Sequence, residues 1–99
     1  MAFRIFYVYL MASKRNGTLY TGLIGDLVRG IWEHRTDFLD GFTTRYGVHM
    51  LVYYEEHASA EDTIRREKQL KRWNRQWKIN LIERANPEWR DLWEDVAQQ

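Results

Sequence analysis

Residues 3–23 read FRIFYVYLMASKRNGTLYTGL. The first ten of these, residues 3–12, are dense in aromatic and β-branched side chains and have the length of a strand. Residues 13–17, SKRNG, carry an Asn-Gly step, a strong turn signal between two apolar runs. Residues 18–23, TLYTGL, then return as a second strand. A β-hairpin therefore opens the chain, and the rest of the fold is built onto it.

Working outward, Gly25-Asp26 marks a helix start with Asp26 as N-cap, and the helix runs to about Arg35. Leu27 and Ile31, one turn apart, face the core. Residues 36–47, TDFLDGFTTRYG, form a glycine-containing loop. Residues 48–55, VHMLVYYE, make a third strand that is apolar on both faces and so is expected to be covered on both. Ser59 caps a second helix over residues 59–73, with Asp62 at the capping-box position where Glu or Gln is usual. Helix resumes after a break near Trp73 and Asn74 and runs to about Arg84. Pro87 then opens a last short helix over residues 87–96, PEWRDLWEDV. The order is β-β-α-β-α-α with the short helix appended. It describes an α+β domain in which helices flank a three-stranded, mainly antiparallel sheet. The 99 residues are expected to form a single domain over 1–99.

The absence of cysteine excludes a disulfide framework and a thiolate metal site. No apolar run is long enough to span a bilayer and the N-terminus lacks a signal-peptide layout, so a soluble, cytoplasmic protein without a membrane partner is expected. The net charge is only +1, but it is unevenly spread. Residues 64–84 carry eight Lys/Arg against two Glu, whereas residues 85–99 carry four acids against Arg90. A basic stretch containing Trp73 and Trp77 suits a phosphate backbone; a solvated helix face with its tryptophans turned inward is the plainer alternative. Trp73, Trp77 and Trp89 are read as core or helix–helix packing.

Glu67 breaks the pattern of the second helix. At about 100° per residue it falls between Ala60, Ile64 and Leu70 on the apolar side, while Arg65, Arg66, Lys68, Lys71 and Arg72 fall mostly outside it. A carboxylate there needs a partner or a cation. Tyr9 and Tyr20 lie on adjacent strands of the hairpin, and His34 follows Ile31 by three residues and leans to the core side of the first helix. Two tyrosines, a histidine and a carboxylate converging on one sheet suit phosphodiester cleavage. A phenolate or imidazole takes a proton from water, and a carboxylate holds a divalent metal that polarises the phosphate. Taken singly, each also has a structural explanation: tyrosine is common in strands, and Arg66 or Lys71 could pair with Glu67.

At these residues the sequence resembles the GIY-YIG nuclease superfamily, closest to its small single-domain bacterial branch. The first signature stands as Tyr7-Val8-Tyr9 and the second as Tyr20-Thr21-Gly22, followed by Asp26-Leu27, Trp32-Glu33-His34-Arg35, Gly41-Phe42-Thr43, Arg45-Tyr46, Leu51-Val52-Tyr53-Tyr54-Glu55, Arg66-Glu67-Lys68 and Asn86-Pro87. The resemblance implies a DNA endonuclease acting on single- or double-stranded DNA. Tyr9 and Tyr20 would position or deprotonate the attacking water, His34 would assist, and Glu67 would be the protein ligand to one Mg²⁺ or Mn²⁺. Arg45, Arg66, Lys68, Lys71, Arg72 and Arg75 would meet the nucleic-acid backbone. Asn80 and Asn86 both remain candidates for a late polar residue of the site. One departure stands out: the family has a phosphate-clamping arginine one turn before the histidine, and this chain has Gly30. Arg29 is turned away from that place and can pair outward with Glu33. Ile24 also replaces a common threonine. The alternative reading is therefore a nucleic-acid-binding protein with weak or lost cleavage, and a third is a protein-interaction domain using its acidic, Trp-rich C-terminal helix.

Overall fold

The hairpin forms where the Asn-Gly step places it. The computed structural model describes residues 5–36 and 45–97. In it β1 (Phe6–Ala12) and β2 (Leu19–Ile24) pair antiparallel, with Tyr9 opposite Gly22 and Met11 opposite Tyr20. The Ser13 amide donates to the Thr18 carbonyl at 3.0 Å, and the Thr18 amide returns to Ser13 Oγ at 2.9 Å. Asn16 adopts the left-handed backbone the turn needs, at φ 58°, a region that asparagine enters more readily than most residues.

β3 (Met50–His57) joins the other side of β1, also antiparallel, giving the order β2-β1-β3. β1 is thus central, and Val8 through Ala12 are buried. Alternation along the strands sends Tyr9, Met11 and Leu51 to one face, where they meet Leu27 and Ile31 of α1 (Leu27–Arg35) and Val96. Leu10, Ala12 and Val52 face the other way, onto Ile82 and Trp89. The third strand is covered on both faces, as its composition implies.

Each longer helix starts on a side-chain cap. Asp26 accepts from the Arg29 amide at 3.0 Å, and Ser59 accepts from the Asp62 amide at 3.1 Å to begin α2 (Ala60–Arg72). Asn74 accepts from the Trp77 amide at 2.9 Å to begin α3 (Arg75–Ala85). The break near Trp73 and Asn74 is therefore a true stop and restart, with both residues extended. A short α4 (Trp93–Ala97) follows. Among the described residues no helix is long and apolar enough to cross a membrane.

The structure departs from the sequence reading at the strand ends and in the last helix. β1 starts at Phe6, and β2 and β3 lie one or two residues later than expected. Of the expected loop over 36–47, residues 37–44, Gly41-Phe42-Thr43 among them, lie outside the described residues. The last helix begins at Trp93, not at Pro87. Trp89 takes a left-handed φ of 54° and is buried, with its indole N–H donating to Glu83 at 2.8 Å. Asn86 Nδ2 donates to the carbonyls of Val52 and Arg90, and its Oδ1 accepts from the Arg90 amide. These tertiary bonds outweigh the local helix signal.

The inward line of α2 is also rotated. Thr63 and Leu70 are fully buried, while Ile64 is 44% exposed and Ala60 is exposed. Thr63 can sit inside because its hydroxyl donates to the Ser59 carbonyl at 2.7 Å. Glu67 therefore flanks the buried line instead of standing in the middle of it.

Candidate active site

Tyr9 projects from the centre of β1 and is only 3% exposed. Its ring crosses Gly22 on the paired strand, where a Cβ would lie 2.5 Å from the Tyr9 hydroxyl. Glycine is needed there so that the tyrosine can lie flat over the strand. Tyr20 sits on the same face, since Met11, its partner across the ladder, points that way. His34, in the last turn of α1, completes a ring triangle. Centroids are 6.2 Å apart for Tyr9–Tyr20, 6.0 Å for Tyr9–His34 and 5.2 Å for Tyr20–His34. The Tyr9 hydroxyl and His34 Nε2 are 3.0 Å apart and hydrogen-bonded.

Burial sets the protonation of this pair. It pushes the Tyr9 phenol well above its ordinary value, with Tyr20 and the charges of Glu33 and Glu67 adding to the shift. Burial also holds His34 below its ordinary value; His49 adds to this and Glu33 opposes it. At neutral pH the bond therefore joins a protonated phenol to a neutral imidazole. Tyr20 and His34 are half-buried and reach the surface, whereas Tyr9 does not.

Glu67 comes from α2, which packs across β2 and β1. Its side chain is mostly buried, and Oε2 pairs with the exposed Lys71 Nζ at 2.8 Å, one turn on. The charge of Glu67 is felt at the Tyr9 phenol. Its neighbour Arg66 anchors the helix: Nε donates to Glu55 at 2.7 Å, and the guanidinium lies 5.2 Å from the Trp73 ring. Glu55 also accepts from the Tyr53 hydroxyl at 2.5 Å and bonds His57 Nε2 at 2.9 Å. Burial would raise the Glu55 carboxyl, but bonds from Arg66, Tyr53 and His57 hold it below the usual carboxylate range.

Among the described residues no group of three or more His, Cys, Asp or Glu could form a metal cage. The donor set here is one carboxylate, Glu67, on the helix packed across the strands that carry the two phenols. Such a site fits a hard cation of the Mg²⁺ kind, which takes one or two carboxylates and fills its shell with water and phosphate oxygens.

Gly30 is buried, and a Cβ there would fall inside contact distance of Ile24 Cδ1. Ile24 thus fills the space that a side chain at position 30 would need, so the two departures from the family pattern are complementary. Arg29 pairs outward with Glu33 at 3.1 Å. Of the expected backbone-binding residues, Lys68 and Arg72 are exposed and make no ion pair among the described residues. Arg45 is exposed, its guanidinium 5.8 Å from the Tyr46 ring. Lys71 and Arg66 carry the carboxylate partners described above. Arg75 donates to the carbonyls of Asn16 and Gly17 at 2.5 and 2.6 Å, tying α3 to the hairpin turn. Asn86 is committed to backbone groups, and Asn80 accepts from Gln76 at 2.8 Å. Sequence reasoning missed the Glu55 network and the exposure of Trp77. The positions of Tyr53, Glu55 and His57, alternate residues on one strand face, were the available signal for the former.

The class of protein that this fold represents is the GIY-YIG catalytic domain. Residues 5–80 match that family, and the chain belongs to it. More narrowly, it is similar to the small UPF0213 proteins. It is 34% identical over 77 residues to one from Staphylococcus haemolyticus, covering 78% of this chain and 93% of that protein. It is 32% identical over 76 residues to one from Staphylococcus saprophyticus, covering 77% and 92%. The solution NMR structure of a UPF0213 protein from Bacillus halodurans superposes with a TM-score of 0.55 at 27% identity, covering 86% of this chain and 89% of that one. The family match points to nuclease-type chemistry on a nucleic acid.

Proposed function

We propose that this protein is a divalent-metal-dependent endonuclease that hydrolyses phosphodiester bonds in DNA. The observation that carries the reading is the hydrogen-bonded Tyr9–His34 pair with Tyr20 against it, flanked by the helix that carries Glu67, whose charge acts on Tyr9. Tyr20, half-buried, is the phenol a bound strand can reach, and it positions the attacking water. With Nε2–H donating to the Tyr9 hydroxyl, the neutral His34 imidazole takes the proton at Nδ1. Tyr9 is a positioning residue: buried and protonated, it holds the His34 ring by its hydroxyl. Glu67 would hold one Mg²⁺ or Mn²⁺ ion, which when bound supplies charge to the phosphate and the leaving oxygen. Lys68, Lys71, Arg72 and Arg45 guide the backbone. Arg66 and Arg75, tied to Glu55 and to the hairpin turn, hold α2 and α3 in place.

The test is a cleavage assay on end-labelled DNA with Mg²⁺, with Mn²⁺ and with a chelator. Cleavage is expected with either metal, to stop with the chelator, and to fall by about 10²-fold or more in Tyr20→Phe, the scale of losing one transition-state group. Metal-independent cleavage, or a fully active Tyr20→Phe protein, rejects the reading.

One observation favours a second reading. With Ile24 packed over Gly30, no side chain at that position reaches the phosphate. Loss of such a donor lowers rates on the order of 10²–10³-fold, leaving a DNA-binding protein with weak cleavage. Tight binding with turnover no faster than that of the Glu67→Ala variant selects this reading.

A further inference from the structure

The outer side of α2 and the start of α3 form a second feature that the cleavage chemistry does not use. Trp77 is 55% exposed, unusual for so large an apolar ring. It meets Trp73 edge to face, with centroids 5.8 Å apart and ring planes at 87°. Trp73 is half-buried, and the Arg66 guanidinium lies 5.2 Å from its ring. Trp73 is thus braced, while Trp77 stands open. The two tryptophans form one wall of a groove of about 490 Å³, lined otherwise by Arg65, Lys68, Gln69 and Arg72. They also line a smaller groove of about 190 Å³ with Asn80, Leu81 and Arg84.

The groove is cationic. Lys68 and Arg72 make no ion pair among the described residues, and Arg65 pairs with Asp62 at 3.1 Å across an exposed contact. Apart from Glu67, the acids of this helix, Glu61 and Asp62, stand in its first turn. Helical geometry also links the groove to the candidate active site. At about 100° per residue, the sequence of positions around α2 runs from Glu67 through Lys71 and Lys68 to Arg72 and Arg65. A polyanion leaving Glu67 would pass successive cations before reaching the tryptophans.

We propose that this groove is a base-stacking subsite for an unpaired nucleic-acid strand, with Trp77 as the platform and Lys68 and Arg72 holding the flanking phosphates. A free indole face accepts any base, and a basic rim tracks the backbone. A paired duplex keeps its bases in the stack and cannot offer one to Trp77. This deepens the reading above and rests on it for the choice of polyanion, but it does not depend on cleavage.

The test is equilibrium binding in the presence of chelator, so that no strand is cut. The probes are fluorescent oligothymidylate and oligouridylate, the oligothymidylate backbone without bases, and a blunt duplex of the same length. Trp77→Ala is expected to weaken binding to at least one of the base-bearing single strands by about 10-fold, a typical stacking loss. Trp77→Phe is expected to restore most of it. The base-free strand and the duplex should bind more weakly and be insensitive to Trp77. Unchanged affinity in Trp77→Ala, or an equal loss on the base-free strand, overturns the proposal. So does conversion of a dimer to a monomer by Trp77→Ala with strand binding intact, which would make the groove a contact between copies. Metal-dependent cleavage that persists while Trp77 proves irrelevant removes the subsite and leaves the nuclease reading standing. Trp77-dependent binding by a protein that never cuts does the reverse.

Discussion

Two polar clusters in this molecule are made from the same residue types and end differently. One joins Glu55 to Tyr53, His57 and Arg66; the other gathers Glu67 with Tyr9, Tyr20 and His34. Their carboxylates are nearly equally shielded, at 19% and 13% exposure. Burial therefore does not distinguish them; partners do. Glu55 accepts from a guanidinium, a phenol and an imidazole, which closes the cluster on itself. Glu67 has a single exposed lysine, and its Oε1 makes no hydrogen bond among the described residues. A closed cluster joins α2 to β3. The open one, one residue along the same helix, leaves a carboxylate oxygen for a further partner. The two are neighbours on one helix, with Arg66 in the first cluster and Glu67 in the second.

Replacing Glu67 should separate function from stability most sharply. Glu67→Gln is expected to lower the cleavage rate by about 10²–10³-fold, while the loss of its helical pair with Lys71 changes stability by only about 0.3–0.5 kcal/mol. Rate measurements alongside chemical denaturation check both halves, and a large loss of stability would put Glu67 in the structural class. Glu55→Ala should do the opposite. Leaving Arg66, Tyr53 and His57 without their shared acceptor is expected to destabilise the fold by about 2–3 kcal/mol, somewhat under the range for a fully buried pair. Because the Glu55 carboxyl is held low, its contribution is fully present above the ordinary carboxylate value and is lost as pH falls through the lowered one. Acid unfolding of the wild type and of Glu55→Gln should therefore differ at neutral pH and converge in acid.

The Ile24–Gly30 contact tests whether the open cluster has room to gain an arginine. Gly30→Arg alone is expected to destabilise by about 1–3 kcal/mol through overpacking against Ile24. Ile24→Thr with Gly30→Arg should recover much of that stability and raise the cleavage rate. A single variant as stable as wild type would mean that the Ile24 side chain turns aside to admit it. The smallest expected effect concerns pH. His34 is held below about 6.5, so its neutral form persists into mild acid and the rate should fall only below that value. An acid limb above it, or one that survives in His34→Gln, would assign the proton transfer to another group.

Much of the architecture was legible because it rests on local chemistry. The Asn-Gly turn, the caps at Asp26 and Ser59 and the break at Trp73-Asn74 are each decided by a few neighbouring atoms. The order of Tyr9, Tyr20, His34 and Glu67 along the chain was also enough to nominate the candidate site. The remainder depended on contacts across the fold. Nothing local to residues 87–92 announces that Asn86 will bond Val52 or that Trp89 will turn left-handed beneath Glu83. The inward line of α2 was misjudged because a threonine with a satisfied hydroxyl served as core where an isoleucine was expected. Gly30 and Ile24 read as two separate departures from the family pattern, because their contact across the fold is not written in either position. Trp77 read as packing because its exposure depends on where α3 begins, which the Asn74 cap sets.

The contrast between the two carboxylates reduces to one experiment. Purified Glu67→Gln and Glu55→Gln proteins are assayed side by side on the same labelled DNA with Mg²⁺, at a temperature where both are folded by circular dichroism. The account predicts that Glu55→Gln cuts at a rate close to wild type and that Glu67→Gln cuts about 10²–10³-fold more slowly. Retained cleavage in Glu67→Gln, with activity lost in a folded Glu55→Gln protein, would contradict it.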